Sequence, residues 1–140
     1  RIFFKSLEDP LHREILEEHA GSPMFHGRLK KCNLTGSWVS KKSGNSCTVE
    51  LFEKDSVLLH IHFIAQGSAL SEACASLMCC QVEGMRQLES KLLSQKIITF
   101  IEKGKEFPLP GDLIVYETIF RFSERHDCSL LPWRALLNAL

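Results

Sequence analysis

The chain has 140 residues, 44% of them apolar and 24% charged, with only eight glycines and five prolines. That balance excludes a disordered tail, a collagen-like repeat and a disulfide miniprotein, and a chain of this length buries roughly two-thirds of its unfolded surface, enough for a core without metal or disulfide staples. Seventeen basic and seventeen acidic side chains cancel, so no overall field draws the chain to nucleic acid or an anionic membrane. The longest apolar run, Val57 to Ala65, is interrupted by His60 and His62 and is too short to span a bilayer.

Asp9-Pro10 predicts a helix start, because Asp9 can cap free backbone donors and Pro10 sits where a missing N–H costs nothing. Leu11, Ile15 and Leu16 give a one-sided stripe over Pro10 to Ala20, ended by Gly21-Ser22-Pro23, with Ile2, Phe3 and Phe4 as an apolar lead-in strand or arm. From Met24 the period becomes two. Cys47, Val49 and Leu51 alternate with polar neighbours, Val57 to Ile64 is β-branched and aromatic, and the short link Glu53 to Ser56 makes these a hairpin. Phe25 to Cys32 and Leu34 to Val39 are further strand candidates, the latter set off by the turn Lys41 to Asn45. The expected sheet is a three- or four-stranded antiparallel meander.

After Gly67 the period returns to 3.6. Ser68 can cap a helix whose face carries Leu70, Cys74, Leu77, Met78, Met85, Leu88 and Leu92, with a break at Gly84, and which Ile97, Phe100 and Ile101 extend to Lys103-Gly104. Lys96 to Glu102 also reads as a strand. Phe107 to Gly111 is a linker; Leu113 to Arg125 is a helix capped by Asp112, or Leu113 to Phe122 a last strand. Ser129 to Leu140 is a final amphipathic helix with Pro132 in its first turn. The fold expected is α+β: an N-terminal helix, a three- to four-stranded antiparallel sheet, then helices packed on one face of the sheet. Residues 1–140 are expected to form a single domain, a fragment of a larger protein, because the chain opens at Arg1 and closes on apolar Leu136, Leu137 and Leu140.

Six cysteines, two of them adjacent at Cys79-Cys80, suit buried thiols in a reducing compartment better than a disulfide framework, and the expected location is intracellular, nuclear or cytoplasmic. His60 and His62 point to one strand face and could share a metal ion, yet further ligands are scattered over His26, His126, Asp127 and Cys128, so the pair reads as a solvent face. His126-Asp127-Cys128 brings acid, base and nucleophile together in sequence, but adjacent residues rarely face each other and no oxyanion loop accompanies them; a polar turn is the plainer reading. Glycine-rich phosphate motifs are missing, and Glu17-Glu18 lies on a solvent face that cannot raise a carboxyl pKa. Neither an enzyme, a metal site nor a cofactor is expected.

Two segments carry resemblances. Lys31-Cys32-Asn33-Leu34-Thr35-Gly36-Ser37-Trp38 resembles the opening strand of avidin-type biotin binders, which implies an eight-stranded barrel; the helical segment after Ser68 does not fit one. The order helix, three strands, helix over Leu7 to Leu88 is similar to double-stranded RNA-binding domains. Where that family has phosphate-clamping lysines this chain has Ala69, Leu70, Ser71 and Glu72, which implies a protein-binding derivative.

Two binding surfaces remain. The first is a protein–protein docking face on the last helix, formed by Leu131, Trp133, Arg134 and Leu137, where tryptophan and arginine are types enriched at interface hot spots; with it, a non-catalytic scaffold or adaptor meets another protein through a helix face or an exposed strand edge. The alternative is nucleic acid, held by Arg28, Lys30, Lys31, Trp38, Lys41 and Lys42 in a stretch without acids, where a ring amid cations can stack bases and neutralise phosphates.

Overall fold

Asp9 opens the first helix as its chemistry predicts. In the computed structural model, which describes residues 9–140, Asp9 Oδ1 accepts the N–H groups of Leu11 (2.9 Å) and His12 (3.1 Å), and Pro10 begins α1 (Pro10–Gly21). The expected arm at Ile2, Phe3 and Phe4 lies outside the described residues. Three antiparallel strands follow in the order β1 (Leu34–Val39), β2 (Ser46–Lys54) and β3 (Val57–Gln66). The register pairs Val49 with Phe63 and Leu51 with Ile61, and it shifts between Phe52 and Glu53. Phe25 to Cys32 is not a strand. Positive φ at Phe25 (66°) and Gly27 (116°) breaks its extension, leaving one bridge between His26 and Phe63.

Beyond the sheet, Gly84 at φ 83° separates α2 (Ala69–Val82) from α3 (Gln87–Lys103). The strand reading of Lys96 to Glu102 fails because Ile97, Phe100 and Ile101, spaced as on a helix, all reach the core. Leu113 to Arg125 is neither one helix nor a strand. It forms a 3-10 turn at Gly111–Val115, the short α4 (Tyr116–Phe120) and a second 3-10 turn at Ser123–Arg125. The last helix, α5 (His126–Ala139), starts three residues earlier than the spacing suggests, which places Pro132 inside it rather than in its first turn.

The result is the expected α+β layer. α2 and α5 cover one face of the sheet, α1 packs on α2, and α3 packs on α5. Cys47, Val49, Leu51, Ile61 and Phe63 point from the sheet into this layer and are fully buried. α5 approaches β1 so closely that a Cβ at Gly36 would overlap the backbone N of Ala139 and O of Ala135. Among the described residues no helix is long and apolar enough to cross a membrane.

Candidate functional site

At one end of the sheet the β1–β2 turn, the β3–α2 turn and the first turn of α5 meet around Cys128. Of the six cysteines, all unpaired, Cys47, Cys74 and Cys79 are buried. Burial pushes the thiols of Cys47 and Cys74 up to about 12 and that of Cys79 well up, so these three stay protonated. Cys32 is exposed in its own loop, where its thiol donates to the Leu34 carbonyl. Cys80 is exposed on α2 beside Met24, and partial burial with Asp112 and Glu83 nearby pushes its thiol up. Cys128 differs from both: it is half-buried and bonded from two other elements, the β1–β2 turn and α2.

Asn45, in the β1–β2 turn, donates its amide N–H to Cys128 Sγ at 3.6 Å. Its backbone N–H is held by Ser43 Oγ at 3.1 Å, while Ser40 Oγ accepts the N–H groups of Lys42 and Ser43 and donates to Asp127 Oδ2 at 2.6 Å. The amide oxygen of Asn45 rests against Gly67, whose φ of 104° and missing Cβ leave it room. From α2, Ser71 Oγ donates to the Cys128 carbonyl at 3.0 Å. That carbonyl lacks its usual helical partner because Pro132, four residues on, has no N–H. The sulfur is therefore fixed by turns and helices distant in sequence.

The neighbours do not form a catalytic triad with it. His126 Nε2 donates to the Phe120 carbonyl at 2.8 Å and its ring stacks on Phe120, Asp127 is tied to Ser40, and Cys128 turns to Asn45. Reading His126-Asp127-Cys128 as a plain polar turn nevertheless missed the contact that matters. Cys128 meets a side chain 83 residues away, and the sequence signal was Pro132, which marks a carbonyl in need of an outside donor.

No protein-family model matches the chain. It is 24% identical over 136 residues to the zinc-dependent sulfurtransferase SufU of Bacillus subtilis, covering 95% of this chain and 91% of that one. It is 26% identical over 133 residues to the iron–sulfur cluster assembly scaffold protein IscU of Thermotoga maritima, covering 93% and 92%. Among solved structures, one described as an iron–sulfur cluster assembly scaffold protein for the SUF system, from Fervidobacterium islandicum, aligns with a TM-score of 0.78 at 23% identity, covering 88% of this chain and 91% of that chain. The N-terminal part of a NifU-like protein from Brucella abortus aligns with a TM-score of 0.80 at 22% identity, covering 90% and 89%. The fold is shared with these scaffolds.

Two expectations change with these findings. A relative named as a sulfurtransferase over nearly the whole chain overturns the expectation that no enzyme is present. The resemblances to avidin-type binders and to double-stranded RNA-binding domains give way as well: the sheet has three strands, and α3 and α5 continue the fold past the shared helix–strands–helix order.

The donor set at this end does not match the zinc in that relative's name. Zinc takes three or four Cys, His or carboxylate ligands from a protein, and iron–sulfur clusters are held chiefly by Cys thiolates. Among the described residues no three His, Cys, Asp or Glu side chains come together to hold an ion, and residues 1–8 contain neither His nor Cys. Around Cys128 the polar groups are instead the Asn45 amide, the Ser40, Ser43 and Ser71 hydroxyls and a single carboxylate, Asp127, which already accepts the Ser40 hydroxyl.

The surfaces expected from sequence are placed elsewhere. Leu131 and Trp133 cannot form a docking face, because both are fully buried in the chain's own core. Trp133 Nε1 donates to Tyr116 Oη at 2.9 Å, and Tyr116 Oη donates to the Ser129 carbonyl at 2.7 Å. Arg134 is partly buried, pairs with Glu102 and lies over the Trp38 ring; Leu137 is half-buried. The basic residues do not make one patch. Arg28 pairs with the buried Glu50 at 2.8 Å, Lys31 sits over Phe52, Trp38 faces Arg134, Lys30 is exposed, and Lys41 and Lys42 are exposed on the β1–β2 turn. With none of the relatives named for nucleic acid, that alternative has no support. His60 stacks on Phe52 and His62 Nδ1 meets the Arg28 carbonyl at 3.3 Å, both on the outer sheet face.

Proposed function

We propose that this chain, sharing the fold of cluster-assembly scaffolds, serves iron–sulfur cluster assembly as a sulfur acceptor, taking up sulfur on Cys128 from a partner protein. Relatives named for sulfur transfer and for cluster assembly match it over more than 90% of its length, and the observation that carries the reading is Cys128, a half-buried thiol fixed where three turns meet. Sulfur chemistry needs a thiolate that a large donor can reach. Cys47, Cys74 and Cys79 are buried too deeply for this, and Cys128 sits at an end of the molecule that a partner can cover.

The transfer is an exchange at sulfur. The Cys128 thiolate attacks the outer sulfur of a persulfide, R–S–SH. The donor S–S bond breaks, R–S⁻ leaves, and a new S–S bond leaves Cys128 as a persulfide whose terminal sulfur keeps its proton. No electrons are gained or lost overall. Six unpaired cysteines fit a reducing compartment such as the cytoplasm, and bacterial relatives lend nothing to the nuclear alternative.

Glutathione persulfide tests the reading. After brief exposure, mass spectrometry of the digested protein should place the added sulfur on Cys128 in excess over Cys32 and Cys80, and Cys128→Ser should abolish that signal. Sulfur shared among the three in order of exposure would sink the proposal.

A further inference from the structure

We infer that Asn45 closes the Cys128 end of the fold against metal, so that this chain keeps a hydrogen-bonded thiol there and takes neither zinc nor a cluster through its own side chains. The inference rests on placing the working site at Cys128, and it departs from what the zinc-dependent name of one relative would lead one to expect.

Three observations converge. First, the contact to the sulfur comes from an amide N–H, at 3.6 Å. An N–H donor points a hydrogen at sulfur and offers a cation nothing, since metal ligands need a lone pair. Second, the Asn45 side chain cannot swing aside cheaply. Its amide oxygen is seated on Gly67, its backbone N–H is bound by Ser43, and the turn that carries it is tied by Ser40 to Asp127. Third, the carboxylate beside the sulfur in sequence already accepts the Ser40 hydroxyl, and no set of three ligating side chains exists among the described residues to outweigh these bonds.

The spacing also says what one change would do. A zinc ion bound at roughly 2.3 Å to sulfur and about 2.0 Å to oxygen, at a near-tetrahedral angle, separates the two ligand atoms by about 3.5 Å. The Asn45 amide stands at almost that distance from Cys128 Sγ. Asn45→Asp puts a carboxylate oxygen at that spacing, giving zinc a second protein ligand beside Cys128 with water left to fill its other positions.

Zinc chloride is the probe, and the intact chain is the protein. The readouts are zinc retained after gel filtration and the rate at which iodoacetamide alkylates Cys128, followed by mass spectrometry. For the unaltered chain we expect no stoichiometric zinc and a Cys128 alkylation rate changed less than twofold by zinc. Asn45→Asp should retain zinc and show several-fold zinc-dependent protection of Cys128 from alkylation, and adding Cys128→Ser to that variant should abolish the retained zinc. One zinc per unaltered chain with strong protection of Cys128 would overturn the inference, as would an Asn45→Asp chain that folds, by circular dichroism, yet responds to zinc no differently from its parent. Glutathione persulfide labelling is read separately: its failure removes the sulfur-acceptor reading and leaves the zinc result standing, and the converse holds too.

Discussion

The hydroxyl of Ser71 gives the Cys128 carbonyl the hydrogen bond that Pro132 has no N–H to give. A proline inside a helix strips the carbonyl four residues earlier of its partner, and here a fully buried serine of α2 replaces it. Fold and site are joined at that point, because the same bond that repairs α5 anchors the residue carrying the thiol.

Ser71→Ala should therefore destabilise the chain by about 1–3 kcal/mol, the cost of leaving a buried acceptor unpaired. Urea unfolding measures it. The double variant Ser71→Ala/Pro132→Ala returns an N–H to the helix at that position, so it should recover part of the loss. A double variant whose loss equals the sum of both single changes would mean that the hydroxyl and the proline are not coupled through this carbonyl.

Tyr116 holds a second buried pair of bonds, donating to the Ser129 carbonyl and accepting from Trp133. Tyr116→Phe keeps the ring and deletes the oxygen, orphaning the indole N–H in a fully buried setting. A loss of about 1–3 kcal/mol is expected, with a shift in Trp133 fluorescence as its indole loses its partner. An unchanged unfolding midpoint would show that the indole finds another acceptor.

Gly36 is where α5 lies on β1, with no space for a side chain. Gly36→Ala must push the C-terminal end of α5 outward, and overpacking of this kind costs about 1–3 kcal/mol or more. Because Asn138 Nδ2 donates to the Ser37 carbonyl in the same region, amide exchange should rise in β1 and the last turn of α5 together. Stability equal to that of the parent chain would contradict the close approach.

What the sequence made legible was local. Asp9-Pro10 carries its own capping chemistry, and the alternation of Cys47, Val49 and Leu51 against Ile61 and Phe63 needs only the period of a strand to place it. Leu113 to Phe122 was illegible because its apolar residues pack by tertiary fit, through turns too short to show a period. Leu131 and Trp133 resemble a partner's face in sequence for a similar reason: an amphipathic stripe looks the same whether its own sheet or another protein covers it. The site was hidden more deeply. Nothing near Cys128 in the chain announces Asn45, and only folding brings the amide to the sulfur.

Thiol reactivity follows from burial. At neutral pH in the native protein, Cys47, Cys74 and Cys79 should resist iodoacetamide until the chain unfolds, their thiols being pushed far above the solvent range. Cys32 and Cys128 should react, and Cys80 more slowly than Cys32, since burial and the carboxylates of Asp112 and Glu83 disfavour its thiolate. Raising the pH should narrow the gap between Cys80 and Cys32. Rapid native labelling of Cys79 would show that α2 opens far more often than its packing implies.

His19 gives the fold a dependence on acid. Its ring is half-buried between α1 and α2, with Nδ1 at 2.7 Å from Ser76 Oγ, and desolvation holds its pKa below the ordinary 6.5 against the opposing pull of Asp112 and Glu18. The unfolded chain takes up a proton near 6.5 while the folded chain still refuses it, so unfolding binds protons and stability rises with pH across that window. The contribution is complete above about 6.5 and is lost as the pH falls from there through the lower folded value. His19→Gln removes the titrating ring and keeps a polar group facing Ser76. Unfolding midpoints measured from neutral pH downward should fall less steeply for this variant than for the parent chain. Parallel slopes would place the acid sensitivity on another group.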